Sequence, residues 1–319
     1  MKVAAVQLEP RIADVAENLA RSELLADDAG ARGAELIVLP EFFTTGMAFR
    51  EELADAALPP DGAATDLMTA LARRHGATVG GSFVCRDPDG ENRNAFLLVT
   101  PDGVVGRHDK DIPTMWENAF YVGGSDDGVI PRADHQVGVA LCWELMRSGT
   151  ARRLRGRVDL VVGGSAWWSL PPWPPRAITR RLEAANARTA AEVVPAMARA
   201  VGAPIVHAAH CGQVESALPW SPVRYRGRYE GATAVCDGSG RTLAFRGADE
   251  GPGVVLAEIS LGRVSPADEV PDTFWMHDRG PVAAAMWSYQ RVHGRRWYRR
   301  HGRGRPPAEV PTPAPAAHT

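Results

Sequence analysis

The sequence is missing the features that would send it to a membrane, a disulfide scaffold or a nucleic acid. Nowhere in its 319 residues is there an uninterrupted apolar run of about 18, the length needed to cross a bilayer, so no membrane partner is expected. Its four cysteines (Cys85, Cys142, Cys211 and Cys236) are scattered, with no CxxC and no Cys/His spacing of a zinc site. Cys85, Cys211 and Cys236 therefore read as small buried hydrophobes in a reducing compartment. A net charge of -2 provides no field to draw in nucleic acid or acidic lipid. The opening MKVAAVQLEPRIADVAENL has no long apolar stretch and meets charges early, so no signal peptide is read and a cytoplasmic location is expected.

What is present is an alternation of strands and helices. KVAAVQL (2–8) reads as an opening strand. Asp14 with Glu17 reads as the capped start of a helix that turns Val15, Leu19 and Leu24 toward a core and closes at Gly33. ELIVLPE (35–41) is a buried strand ending in a proline and a carboxylate, and a helix over about 64–75 leads through Gly76 into ATVGGSFV, another strand. NAFLLVT and VVGRHDK form a hairpin turning at Asp102-Gly103. HQVGVALC (135–142) is a strand, MRSGTARRLRG a helix, VDLVVGGS (158–165) a strand, and 176–201 a helix kinked at Pro195. APIVHAAH is a strand, 211–229 a long loop, and GATAVCD, RTLAFR and GVVLAEI a closing meander. Continuous apolar runs argue for an α/β protein with buried sheets.

No repeat or linker interrupts this pattern, so residues 1–290 read as one domain and 291–319 as a C-terminal extension. In that extension RVHGRRWYRRHGRGR (291–305) reads as a basic arm, solvated or bridging subunits, and PPAEVPTPAPAAHT as a disordered tail. The arm lacks the folded module and interleaved aromatics of a nucleic-acid binder, so no such partner is expected.

Four polar residues stand beside apolar runs. Glu41 enters a Phe-Phe sequence, where partial desolvation would raise its pKa toward that of a general base; its ordinary reading is a solvent-facing strand end. Lys110, just past a hairpin strand, is either solvated or a fixed charge for an oxyanion. Glu117 lies among Met115, Trp116, Phe120 and Tyr121, where a carboxylate needs a partner. Cys142 ends the run GVALC and is either a core thiol or a nucleophile, for which Glu41, Lys110 and a following helix N-terminus would supply a base and a positive field. His108, His207 and His210 lie on or beside strands and read as structural, which makes a papain-like Cys/His pair the weaker arrangement.

The four in this order resemble the nitrilase superfamily of carbon–nitrogen hydrolases. LPEFF carries Glu41, KDIPTMWENAFYVGG carries Lys110 and Glu117, and GVALCWE carries Cys142, with VAAVQLEP, VVGGSAWW and YEGATAVCDGSGRTLAF as further matches over roughly residues 2 to 260. The resemblance implies an αββα sandwich pairing into an αββααββα homodimer or a larger homo-oligomer. It assigns Cys142 as nucleophile, Glu41 as general base, Lys110 as oxyanion stabiliser, Glu117 as a second positioning carboxylate and the Trp143 backbone N–H as oxyanion donor. It requires no metal or organic cofactor, and the implied substrate is a small amide or nitrile. Trp116, Tyr121, Trp167 and Trp168 are candidate pocket aromatics, though each taken singly is more at home in a core, and His210 with the loop 211–229 is a candidate lid.

The branch stays open. K-x-x-P-T-x-x-E and Cys-Trp-Glu look like true nitrilases, whereas FFTTGMAF looks more like amidases, and Leu145 after Glu144 and Asn118 after Glu117 depart from the nitrilase pattern. An amide synthase or acyltransferase would use the same acyl-enzyme, and a non-catalytic scaffold on this fold is the reading from another class.

Overall fold

The computed structural model describes residues 1–171, 174–277 and 280–310. In chain order its first elements are β1 (Lys2–Leu8), α1 (Val15–Ala31), β2 (Leu36–Val38), α2 (Ala63–His75), β3 (Thr78–Arg86), β4 (Asn92–Thr100) and β5 (Gly103–Asp109). Next come β6 (Val129–Pro131), β7 (Gln136–Val139), α3 (Ser148–Leu154), β8 (Leu160–Ser165), α4 (Arg176–Val201) and β9 (Ile205–His210). The last are β10 (Gln213–Ala217), β11 (Arg224–Arg228), β12 (Gly231–Cys236), β13 (Thr242–Gly247), β14 (Gly253–Glu258) and α5 (Gly280–His301).

Twelve of the strands form one hydrogen-bonded set in two halves, β14-β1-β2-β3-β4-β5 and β13-β12-β9-β8-β7-β6. The halves join where Gln7 and Leu8 at the end of β1 pair in parallel with Ala209 and His210 of β9. Elsewhere they face one another across an apolar layer that includes Val3, Ala5, Val38, Phe96, Val139, Val162 and Val206. The alternate residues Ala4, Val6 and Leu8 of β1 point the other way, into a core with α1 and α2. A matching core packs α3 and α4 on the outside of the second half. The layers are therefore α, β, β, α, as the resemblance implied. Strands buried on both faces need no polar side, which is why they read as apolar runs.

Most element expectations hold, including the Asp14 cap, whose carboxylate accepts the Glu17 N–H at 3.2 Å, and the turn into Gly33. Two differ. Leu24 is 72% exposed, because α1 turns Val15, Asn18, Ser22, Ala26 and Ala29 inward instead. The expected loop 211–229 contains the antiparallel hairpin β10–β11, whose register runs from Gln213↔Arg228 to Ala217↔Arg224. Its charged, solvent-facing positions hide the strand pattern in the sequence.

The basic stretch 291–305 lies largely within α5, which crosses residue 290. Arg291, Arg295, Arg296, Arg299 and Arg300 face solvent, while Gln290, His293, Gly294 and Tyr298 are buried. That face packs on the 3-10 turn Met115–Ala119. Of the tail expected to be disordered, residues 311–319 lie outside the described residues, and Ala308 donates its N–H to the Ala57 carbonyl at 2.7 Å. No helix among the described residues is long and apolar enough to cross a membrane.

Candidate active site

Glu41, Lys110, Glu117 and Cys142 converge. Glu41 follows the end of β2, Lys110 follows β5, Glu117 sits in the 3-10 turn Met115–Ala119, and Cys142 opens the turn Cys142–Met146 after β7. Three of these segments contain a non-glycine residue in the left-handed region: Phe42 (φ 55), Met115 (φ 52) and Cys142 itself (φ 51). Backbone of this kind costs energy and is kept where the chain must turn sharply to present a group. Two glycines of β8 let the loops settle. A Cβ on Gly163 would lie 1.9 Å from the Ala140 carbonyl oxygen, and one on Gly164 would lie 2.6 Å from the Glu41 nitrogen. The run VVGGS thus serves as the bed on which both the Glu41 and the Cys142 segments rest.

Lys110 Nζ donates to Glu41 Oε1 and to Glu117 Oε2, each at 2.8 Å, and all three side chains are fully buried. Glu41 is held further by Asn94 Nδ2 at 2.9 Å on Oε1 and by the Ala166 N–H at 3.0 Å on Oε2. Glu117 Oε2 also takes the Thr114 N–H at 2.9 Å and the Tyr121 hydroxyl. Ligand atoms of Glu41, Glu117 and Cys142 lie within 4.8 Å of one another. That set has the reach to hold a cation, but the Lys110 ammonium already bridges its two carboxylates.

Electrostatics divides the roles. Burial raises the Glu41 pKa to about 7, with Lys110 pulling it down and Glu117 pushing it up. Burial also works against the Lys110 ammonium, yet Glu117 and Glu41 outweigh it and hold the lysine above its ordinary value. Burial, reinforced by Glu41, pushes the Cys142 thiol well up, and Lys110 and the Trp143 N–H oppose this. The sulfur thus rests protonated beside a base that can accept its proton at neutral pH.

The other expected site residues form the surround. Trp143 faces Cys142 with its backbone N–H, while its ring packs with Trp167, Trp275 and Trp287 at centroid distances of 5.5 to 6.1 Å. Trp116 packs on Trp168 at 4.3 Å and on Tyr225 at 5.5 Å. Tyr121 is spent on Glu117. His210 is not on a lid: it is buried, burial lowers its pKa to about 4, and Nε2 donates to the Glu41 carbonyl at 2.6 Å. It braces the backbone of Glu41. Asn94 and the Ala166 amide, absent from the sequence reading, are supplied to Glu41 by distant segments, and only the fold brings them in.

The model of the carbon-nitrogen hydrolase family matches residues 2–269. A nitrilase of Pyrococcus abyssi is 32% identical over 186 residues, which are 57% of this chain and 70% of that protein. The omega-amidase YafV of Escherichia coli K12 is 41% identical over 140 residues, 43% of this chain and 53% of the relative, so this alignment covers only about half of that enzyme. An aliphatic nitrilase of Rhodococcus rhodochrous is 25% identical over 303 residues, 88% and 81% of the two chains. Among solved structures, an amidase from Nesterenkonia sp. superposes with a TM-score of 0.63 at 20% identity, covering 86% of this chain and 93% of its own. With the family match spanning most of the sequence and nitrilase and amidase relatives beside it, this chain belongs to the carbon-nitrogen hydrolase family and is a hydrolase.

Proposed function

We propose that the protein hydrolyses a small amide through a thioester on Cys142. The observation that carries this reading is the buried Glu41–Lys110–Glu117 set, with its carboxylates in reach of the Cys142 sulfur. Glu41 takes the thiol proton as sulfur bonds to the carbonyl carbon. The oxyanion that forms is met by the Lys110 ammonium and the Trp143 N–H, a contribution of about 3 kcal/mol for each well-placed donor. The C–N bond then breaks, the proton on Glu41 passes to the departing nitrogen, and ammonia or an amine leaves. Water gives a proton to Glu41, attacks the thioester and breaks the C–S bond, and Glu41 returns that proton to sulfur as the acid departs. Glu117 holds Lys110 in place and stays out of the proton path.

The omega-amidase relatives and a Nesterenkonia amidase structure in complex with butyramide support an amide as the substrate. A nitrile would bond to the same sulfur as a thioimidate and is the second arm of the test. Intact mass spectrometry of wild-type and Glu41→Gln protein, incubated with panels of primary amides and nitriles, should find an acyl increment on Cys142. Cys142→Ala should stay folded and lose turnover by at least about 10³-fold. Appreciable turnover in that variant would sink the mechanism, and a thioimidate formed with nitriles alone would move the substrate class.

A further inference from the structure

The chemistry above leaves a second buried ionic set without a task. Glu144, two residues after Cys142, is fully buried. Its Oε2 accepts the Leu141 N–H at 2.9 Å and lies 3.1 Å from His108 Nε2; its Oε1 accepts the Asp111 N–H at 3.1 Å. On its other side His108 Nδ1 lies 2.5 Å from Asp126 Oδ1, and Asp126 Oδ2 accepts the Asp109 N–H at 2.9 Å. An imidazole between two carboxylates satisfies both only when both nitrogens carry protons. Arg147 and Arg153 pair with the Asp111 carboxylate, and Arg153 Nη2 lies 3.8 Å from Glu144.

The positions of those amides matter. Leu141 immediately precedes the nucleophile, and Asp111 immediately follows the lysine. Lys110 comes from the first half of the sandwich and Cys142 from the second. Across most of their interface the halves meet through apolar contact, which is non-directional and does not set distances finely. A carboxylate accepting one N–H from each loop does. We infer that Glu144, clamped by His108, is a positioning residue that fixes the Lys110 ammonium relative to the Cys142 sulfur by tying their two loops together across the sheets. This rests on the thioester reading. It also gives a reason for the Cys-Trp-Glu sequence, since the glutamate reaches back over one turn to the residue before the cysteine.

Glu144→Gln keeps the shape of the side chain but gives one of its two acceptor atoms to an NH2 group. It should lower kcat by about 10²-fold, the cost of a displacement near 1 Å, with KM changed by less than about three-fold. Alkylation of Cys142 by iodoacetamide should slow by about 10-fold. His108→Gln, which removes the cation and leaves both backbone contacts, should lower kcat by about 10-fold. All rates are taken per folded molecule, counted from the amplitude of the cooperative unfolding transition, so loss of folded protein alone would leave them at the wild-type value. Wild-type kcat per folded molecule in Glu144→Gln would overturn the assignment. Should that variant not fold, the same result in His108→Gln would overturn it. Failure of the wild-type protein to form any Cys142 adduct would instead bring down the thioester reading on which the assignment stands.

Discussion

At the scale of single residues, Glu41 is a carboxylate lying against an ammonium, and its environment decides whether it can act as the proposed base. Lys110 alone would keep the carboxylate ionised far into acid. Burial and the nearby Glu117 offset that and bring its pKa to about 7. The expected consequence is an acid limb in kcat/KM near pH 7, because protonation removes the base, with activity falling about 10-fold per pH unit below it. A limb in the ordinary carboxylate range, near 4.5, would show that Glu41 is not so desolvated. The residue types were legible in LPEFF, KDIPTMWE and GVALCWE because chemistry restricts what can stand there. Their supports were not. Asn94, the Ala166 amide and His210 reach Glu41 across 53, 125 and 169 residues, and no local pattern encodes such contacts.

At the scale of elements, α5 is where sequence and structure part most. Its arginines dominate any reading of composition, and Gly294 looks like an interruption. Yet Gln290, His293, Gly294 and Tyr298 make a buried stripe at helical spacing, and Trp297 packs on Phe49 and Phe120 with centroids 5.7 and 5.5 Å away. Tyr298 pins the helix to β4: its hydroxyl accepts the Asn92 N–H at 2.7 Å and donates to Glu91 Oε2 at 2.9 Å. Tyr298→Phe leaves a buried amide without its acceptor and should destabilise the fold by about 1–3 kcal/mol, read as a lower denaturant midpoint with an unchanged slope. An unaltered midpoint would mean that α5 is not docked this way in solution. The central strands, by contrast, were readable throughout, since a strand buried on both faces writes itself as an apolar run.

At the scale of the whole molecule, three of the buried histidines, His108, His207 and His210, set opposite limits on stability. Burial lowers His207 to about 3 and His210 to about 4. Between those values and about 6.5 the unfolded chain binds protons that the folded one refuses, so acid favours unfolding. Burial also works against the His108 cation, but Glu144 and Asp126 outweigh it and raise its pKa to about 10. Its contribution is fully present below about 6.5 and is lost as pH rises through about 10. The melting temperature should therefore peak near pH 6.5 and decline on both sides. A melting temperature that climbs steadily from pH 7 to 10, followed by circular dichroism, would contradict the ionic role given to His108.

The pairing of β1 has a consequence for how the protein is made. Lys2–Gln7 lie between β2, some thirty residues away, and β14, whose residues 253–258 are among the last of the sheet to be synthesised. At about 5–20 residues per second, β1 waits on the order of tens of seconds after leaving the ribosome for its antiparallel neighbour. During that time a very apolar edge stands open to any other chain. The strand that joins the two halves of the finished enzyme is thus a liability of the nascent chain, and chaperone demand should fall when Gly253–Glu258 emerges.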